Sequence, residues 1–161
     1  MKKELLNPFA MLCFGLVMGT AARLLDIFTT NLGEVFSQMT VWILMGTLIS
    51  IYSKTAKHAM GNVLAFCLGM LVTYYFVAAL SRGVYSMQFI IGWTVFALCS
   101  PVMAFFAWQT KGRGVLAKII SVGIVAVSVL SSILLFDRLR IYDFLIDGTL
   151  LYFLFFKKMN R

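Results

Sequence analysis

The chain has 161 residues, 61% of them hydrophobic and 12% charged, with a net charge of +8 and a mean hydropathy of +0.94. Soluble domains carry about twice that charged fraction, and so few polar groups could not cover this much apolar surface in water. A soluble globular domain is therefore excluded, and lipid is the expected solvent. No long stretch alternates polar and apolar residues in period two, which argues against a β-barrel.

The expected fold is all-α: a single integral membrane helical bundle over residues 1–161, with six transmembrane helices of roughly 20 residues each. Their expected bounds are about 5–25, 35–53, 59–81, 86–109, 115–136 and 139–156. The loops between them are short and leave no room for a soluble domain.

The first helix follows a basic start, but its apolar run continues to Ala22 without a small-x-small cleavage site, so it reads as a span rather than a removable signal. It carries Gly15, Gly19 and Ala22, a stripe of small residues that lets helices approach closely in lipid. That stripe serves packing within the bundle or docking of a partner membrane subunit. Arg23 and Asp26 lie near its outer end. The second helix follows Glu34, and a basic loop holding the single histidine, His58, precedes the third. Tyr74 and Tyr75, near the outer end of the third helix, read as interfacial belt residues.

In the fourth helix Pro101 sits mid-span in "ALCSPVMAFF". It has no N–H to donate and releases the carbonyl of Ala97, so a kink is expected there. Gln88, Tyr85 and Thr94 are placed to face a polar cluster from its outer half. The fifth helix has Ser128 and Ser132 at the small-residue spacing. Cys13, Cys67 and Cys99 each fall inside a predicted span, with no CxxC or Cys/His spacing. They read as small hydrophobes, and no disulfide, metal site or cofactor is expected.

Lys and Arg accumulate on the cytoplasmic side of a membrane. With six spans, one face holds ten basic residues, from Lys2 to Arg161, and the other holds four: Arg23, Arg82, Arg138 and Arg140. Both termini are therefore expected in the cytoplasm, and the net charge reports topology rather than nucleic-acid binding. Apart from Glu4, every acid (Asp26, Glu34, Asp137, Asp143 and Asp147) falls on or near the outer side. The cytoplasmic face is almost purely cationic, and the outer half carries a mixed-sign polar cluster. Snorkelling into lipid headgroups accounts for part of it.

Asp147 stands apart. It lies ten residues before Lys157, or about 15 Å along a helix, which places it near the bilayer midplane. A carboxylate there costs about 2.5–3.5 kcal/mol even on lenient insertion scales. It should face the interior and find a cation, contact water or carry a proton. Arg140, Asp143 and Asp147 have the spacing of one helical face, and Leu150 and Leu154 continue it in apolar form. This reads as a polar stripe that stops, not a pore lining. Because helical side chains lean toward their own N-terminus, Asp147 leans outward and Arg23 leans inward. An Arg23–Asp147 or Arg23–Asp143 pair is the specific expectation.

"MGTLISIYSK" (45–54) and "DGTLLYFLFFKK" (147–158) share Gly-Thr-Leu before an apolar run and a basic end, and "IGWTVF" (91–96) falls similarly. All three helices run inward, which suggests three repeats of a helical hairpin.

In size and layout the whole chain resembles the S components of energy-coupling-factor transporters, and it is similar too to small six-helix membrane-protein families of bacteria. The first resemblance implies binding of vitamins or metals and ATPases borrowed from partners. Those proteins carry an alanine-rich motif on the first helix, where this chain has Gly15 and Gly19. Three functions stay open. The first is a solute- or ion-binding or transport subunit of the bacterial inner membrane. Its pocket would open outward and be built on Asp143, Asp147, Arg140, Arg23, Asp26 and Gln88, for a small polar or cationic solute. The second is a non-catalytic scaffold or accessory subunit, as a homo-oligomer or with a partner. The third is an intramembrane enzyme using the aspartate pair for acid–base or metal chemistry, although no catalytic set accompanies it.

Overall fold

The computed structural model of the chain describes residues 6–29, 38–81, 86–136 and 140–157. Glu34, Arg82, Tyr85, Asp137 and Arg138 lie outside the described residues. Within those residues all regular structure is helical, in six helices.

Local chemistry sets the boundaries. Helix α1 (Pro8–Phe28) starts where the Asn7 side chain accepts the Ala10 N–H at 2.7 Å and proline occupies the first turn, a position that needs no N–H. It runs three residues past the expected end, which puts Asp26 on the same helix as Arg23. Helix α2 (Met39–Tyr52) follows, then α3 (Ala56–Leu80). Thr55 caps α3 by accepting the His58 N–H at 3.2 Å, so His58 belongs to the first helical turn rather than to a loop. Helix α4 (Met87–Gln109) is capped by Ser86, and α5 (Val115–Phe136) has the expected bounds. Helix α6 (Ile141–Leu151) begins after an extended Arg140 and passes into a π-helical turn, Tyr152–Phe156. The Lys157 N–H closes that turn on the Tyr152 carbonyl at 2.9 Å.

Four helices, α1, α3, α4 and α5, are long and apolar enough to cross a membrane. The other two expected spans are shorter. Fourteen residues of α2 reach about 21 Å, short of a hydrocarbon core of about 30 Å. Helix α6 has eleven residues before its π turn.

The distribution of polarity is the reverse of a soluble protein's. Phe28, Leu134 and Ile141 are more than three-quarters exposed, while Gln38, Asn62, Ser128 and Asp143 are buried. Large apolar faces of this kind are unstable in water and suit lipid.

The tightest packing joins α1 to α3. Gly15 and Gly19 rest on the backbone of Phe66 and Met70, and Gly69 of α3 rests in turn on Leu12 and Leu16. The Thr73 hydroxyl donates across the seam to the Leu16 carbonyl at 2.9 Å. Without side chains between them the two backbones meet directly, the arrangement small residues allow in lipid. Trp42 of α2 then joins α3 and α4, with ring centroids 6.4 Å from Phe66 and 5.2 Å from Trp93. A polar staple ties four elements together at one end. Asn62 donates to the Leu6 carbonyl (3.1 Å) and the Ser53 hydroxyl (3.0 Å), and Trp108 and Lys111 donate to the Ser53 carbonyl. The expected three like hairpins meet unequal packing: α1 lies on α3, while α5 and α6 pair with each other.

Pro101 sits inside an unbroken α4. The Ala97 carbonyl that it releases accepts the buried Ser100 hydroxyl at 2.7 Å, so the interior acceptor keeps a partner. Ser100→Ala is expected to destabilise by about 1–3 kcal/mol by orphaning that carbonyl. A melt of the purified variant indistinguishable from the unaltered chain would refute this role.

Candidate functional site

Helix α6 starts on a reciprocal pair of bonds. The Asp143 N–H donates to the Arg140 carbonyl at 3.0 Å, and the Arg140 N–H donates to Asp143 Oδ2 at 2.8 Å. Asp143 is thus the helix's own N-terminal cap, fully buried, in a position where the helix dipole favours negative charge. One turn on, Asp147 accepts a hydrogen bond from the Ser128 hydroxyl of α5 at 2.6 Å. Asp147 is 8% exposed and Ser128 is fully buried. Two carboxylates therefore share one buried face a single turn apart, a like-charge spacing that is unfavourable on a helix.

The start of α2 supplies another wall. Gln38 donates to the Tyr142 hydroxyl at 3.1 Å, and Thr40 donates to Gln38 Oε1 at 3.3 Å; Gln38 and Thr40 are both buried. The Arg140 guanidinium donates to the same Tyr142 hydroxyl and lies over its ring, 5.8 Å from the centroid. Ser132, one turn from Ser128 on α5, is buried as well. Buried Leu150 and Leu154 close the far side in purely apolar form. Polar side chains of α2, α5 and α6 thereby gather into one largely buried polar compartment at the start of α6.

The expected residues divide between two places. Asp143, Asp147, Ser128 and Ser132 lie together on the α5–α6 seam, with Arg140 at its edge. Arg140 is not a member of the helical stripe, because its backbone is extended and α6 starts after it. Arg23 lies elsewhere: it is ion-paired with Asp26 and sits over the Tyr74 ring, 5.6 Å from the centroid. Neither the Arg23–Asp147 nor the Arg23–Asp143 pairing forms. Helix α1 is locked onto α3, and α6 packs on α2 and α5. Arg23 instead takes the acid one turn along its own helix. Tyr74 accordingly serves as a platform for Arg23.

Gln88 is exposed at the start of α4, its N–H held by Ser86, and does not reach the compartment. Thr94 is also exposed and bonds back to the Ile90 carbonyl. Gly15, Gly19 and Ala22 are buried against α3, so this stripe is occupied within the chain and is not open to a partner. A cavity of about 110 Å³ is lined by Thr110, Ala117, Lys118, Ser121, Leu154 and Phe155, and by neither carboxylate. Its Thr110 and Ser121 hydroxyls are committed to carbonyls of their own helices.

Gln38, Thr40 and Tyr142 are not apparent as site residues from the sequence. One usable signal exists for the serines: Ser128/Ser132 and Asp143/Asp147 share a four-residue spacing on either side of one short connection. In an antiparallel hairpin that symmetry brings the pairs face to face. The chain matches no family model, no curated protein and no solved structure, so the compartment between α2, α5 and α6 is what a functional reading has to rest on.

Proposed function

We propose that this protein is a multi-pass plasma-membrane subunit that binds or transports a small polar or cationic solute, with the compartment at the start of α6 as its pocket. The observation that carries the reading is Asp147, a buried acid whose hydrogen-bond donor is a serine hydroxyl rather than a cation. Burying a carboxylate in the membrane costs about 2.5–3.5 kcal/mol even on lenient scales, and one hydroxyl offsets only part of that. Packing alone is served as well or better by apolar residues of similar volume. An acid kept under those terms suits a ligand that brings a positive charge or a donor. In this reading six helices cross the membrane with both termini in the cytoplasm, following the excess of basic residues on that side, and the pocket opens outward.

The test is a thermal-shift and equilibrium-binding screen of the purified chain against alkali cations, primary amines and amino acids, with hits carried into proteoliposome uptake. Asp147→Asn keeps the shape and an acceptor for Ser128 but removes the charge. It should weaken the hit by about 100-fold or more, the usual cost of breaking a buried charge contact, and abolish uptake. An Asp147→Asn protein that responds to the whole panel as the unaltered chain does would sink the reading and favour a scaffold or accessory role.

A further inference from the structure

The Ser128–Asp147 hydrogen bond fixes the antiparallel register of α5 against α6. One turn back toward their connection, each helix presents the next residue of the same face: Ser132 on α5 and Asp143 on α6. The two rungs differ. In the first, hydroxyl and carboxylate are joined. In the second, Ser132 Oγ and Asp143 Oδ1 are both buried without a hydrogen-bond partner among the described residues, in side chains 1% and 0% exposed. Buried polar atoms are nearly always satisfied, by protein or by something bound, so two orphans on one rung call for an occupant.

The chemistry of the rung restricts that occupant. Asp143 Oδ2 is already taken by the Arg140 N–H, leaving Oδ1 as an acceptor. A hydroxyl oxygen stands on the opposite helix, and the Asp147 carboxylate lies one turn below on the same face. All the donors are oxygen, which suits a hard cation rather than a thiophilic or imidazole-seeking one. Calcium takes six to eight oxygens, and magnesium retains several waters, more than a rung whose two side chains are 1% and 0% exposed can accommodate. A single positive charge would also relieve the repulsion between the two carboxylates.

We propose that the Ser132–Asp143 rung is a binding site for a monovalent alkali cation of the sodium class. The inference rests on reading the compartment as the ligand pocket and gives that pocket an ion as well as a solute. Ion and solute then strengthen each other's binding through linkage.

The experiment uses the full chain in nanodiscs, with NaCl, LiCl or KCl titrated against choline chloride at constant ionic strength. Melting temperature and bound ²²Na⁺ are the two readouts. The expected result is a saturable rise in melting temperature with sodium and saturable ²²Na⁺ binding. Ser132→Ala should shift half-saturation upward by about tenfold or more, the usual weight of one bond to a charged group. Its melting temperature in choline should not fall, since the hydroxyl removed has no partner. Asp143→Asn should abolish saturable ²²Na⁺ binding, but Asp143 also caps α6, so Ser132→Ala is the decisive variant. Identical melts in sodium and choline, or a Ser132→Ala curve that saturates with the unaltered chain, would overturn the site. A solute response that needs Asp147 but not sodium would remove the ion and leave the pocket. Sodium saturation through Ser132 with no solute response from the panel would support the ion site and remove the solute from the proposed function.

Discussion

One methyl group added at Gly15 or Gly19 is expected to cost the fold about 3 kcal/mol or more, the upper range for overpacking a tight interior. A Cβ at Gly15 would run into the Phe66 carbonyl oxygen and come within 3.0 Å of its carbon and 3.1 Å of the Met70 nitrogen. At Gly19 it would meet the Met70 carbonyl and the Thr73 hydroxyl. These obstacles are mostly backbone, so no rotamer change makes room, and α1 has to move away from α3 as a body. That movement would also break the Thr73–Leu16 bond and loosen Gly69 from Leu12. Alanine at Gly92, Gly123 or Gly148 meets nothing within 4 Å, and there the better helix former should gain about 0.5–1 kcal/mol. Melts of the five single variants test the ranking. Gly15→Ala or Gly19→Ala melting level with the other three would mean that the α1–α3 seam is not closed as described.

The second large effect separates stability from function at Asp147. The double variant Ser128→Ala/Asp147→Leu removes a buried carboxylate together with the hydroxyl that serves it, leaving no orphan behind. Exchanging buried charged groups for apolar ones of similar volume is often neutral or stabilising by about 1–4 kcal/mol, and Asp147 has no ion pair to lose in its bond with Ser128. The double variant should therefore melt at or above the unaltered chain while losing ligand response and uptake entirely. Asp143→Ala should instead lower stability. It strips the cap from α6 and leaves the partly buried Arg140 N–H without its acceptor, for a loss of about 1–2 kcal/mol. Of two acids four residues apart, Asp143 would thus hold the helix as well as the proposed ion, while Asp147 would serve a ligand alone. A double variant that fails to fold would show that Asp147 is structural.

The sequence carried the helical class and the placement of most elements because both follow from local terms. Hydrophobic runs mark the helices, and α5 kept its expected bounds. Boundaries slipped where a cap decided them: Asn7 and Thr55 start α1 and α3 on side-chain bonds, and the extended Arg140 delays α6. Pro101 raised the right question, the fate of the Ala97 carbonyl, and the residue beside it supplied the answer through Ser100. The cost of burying Asp147 was also readable, since an acid in an apolar run carries an energetic penalty wherever the run packs.

Its partner was not readable in the same way. Periodicity gives the face of a helix, but not which helix that face meets. Only the tertiary arrangement decided that α1 closes on α3 through three glycines, which kept Arg23 with Asp26 and away from the carboxylates. The same arrangement tied Gln38 to Tyr142 and set the Ser128 hydroxyl on Asp147. Composition and spacing determined that this is an apolar helical chain with two costly acids on one face. Packing, which seats α1 on α3 and α6 on α2 and α5, determined what those acids meet.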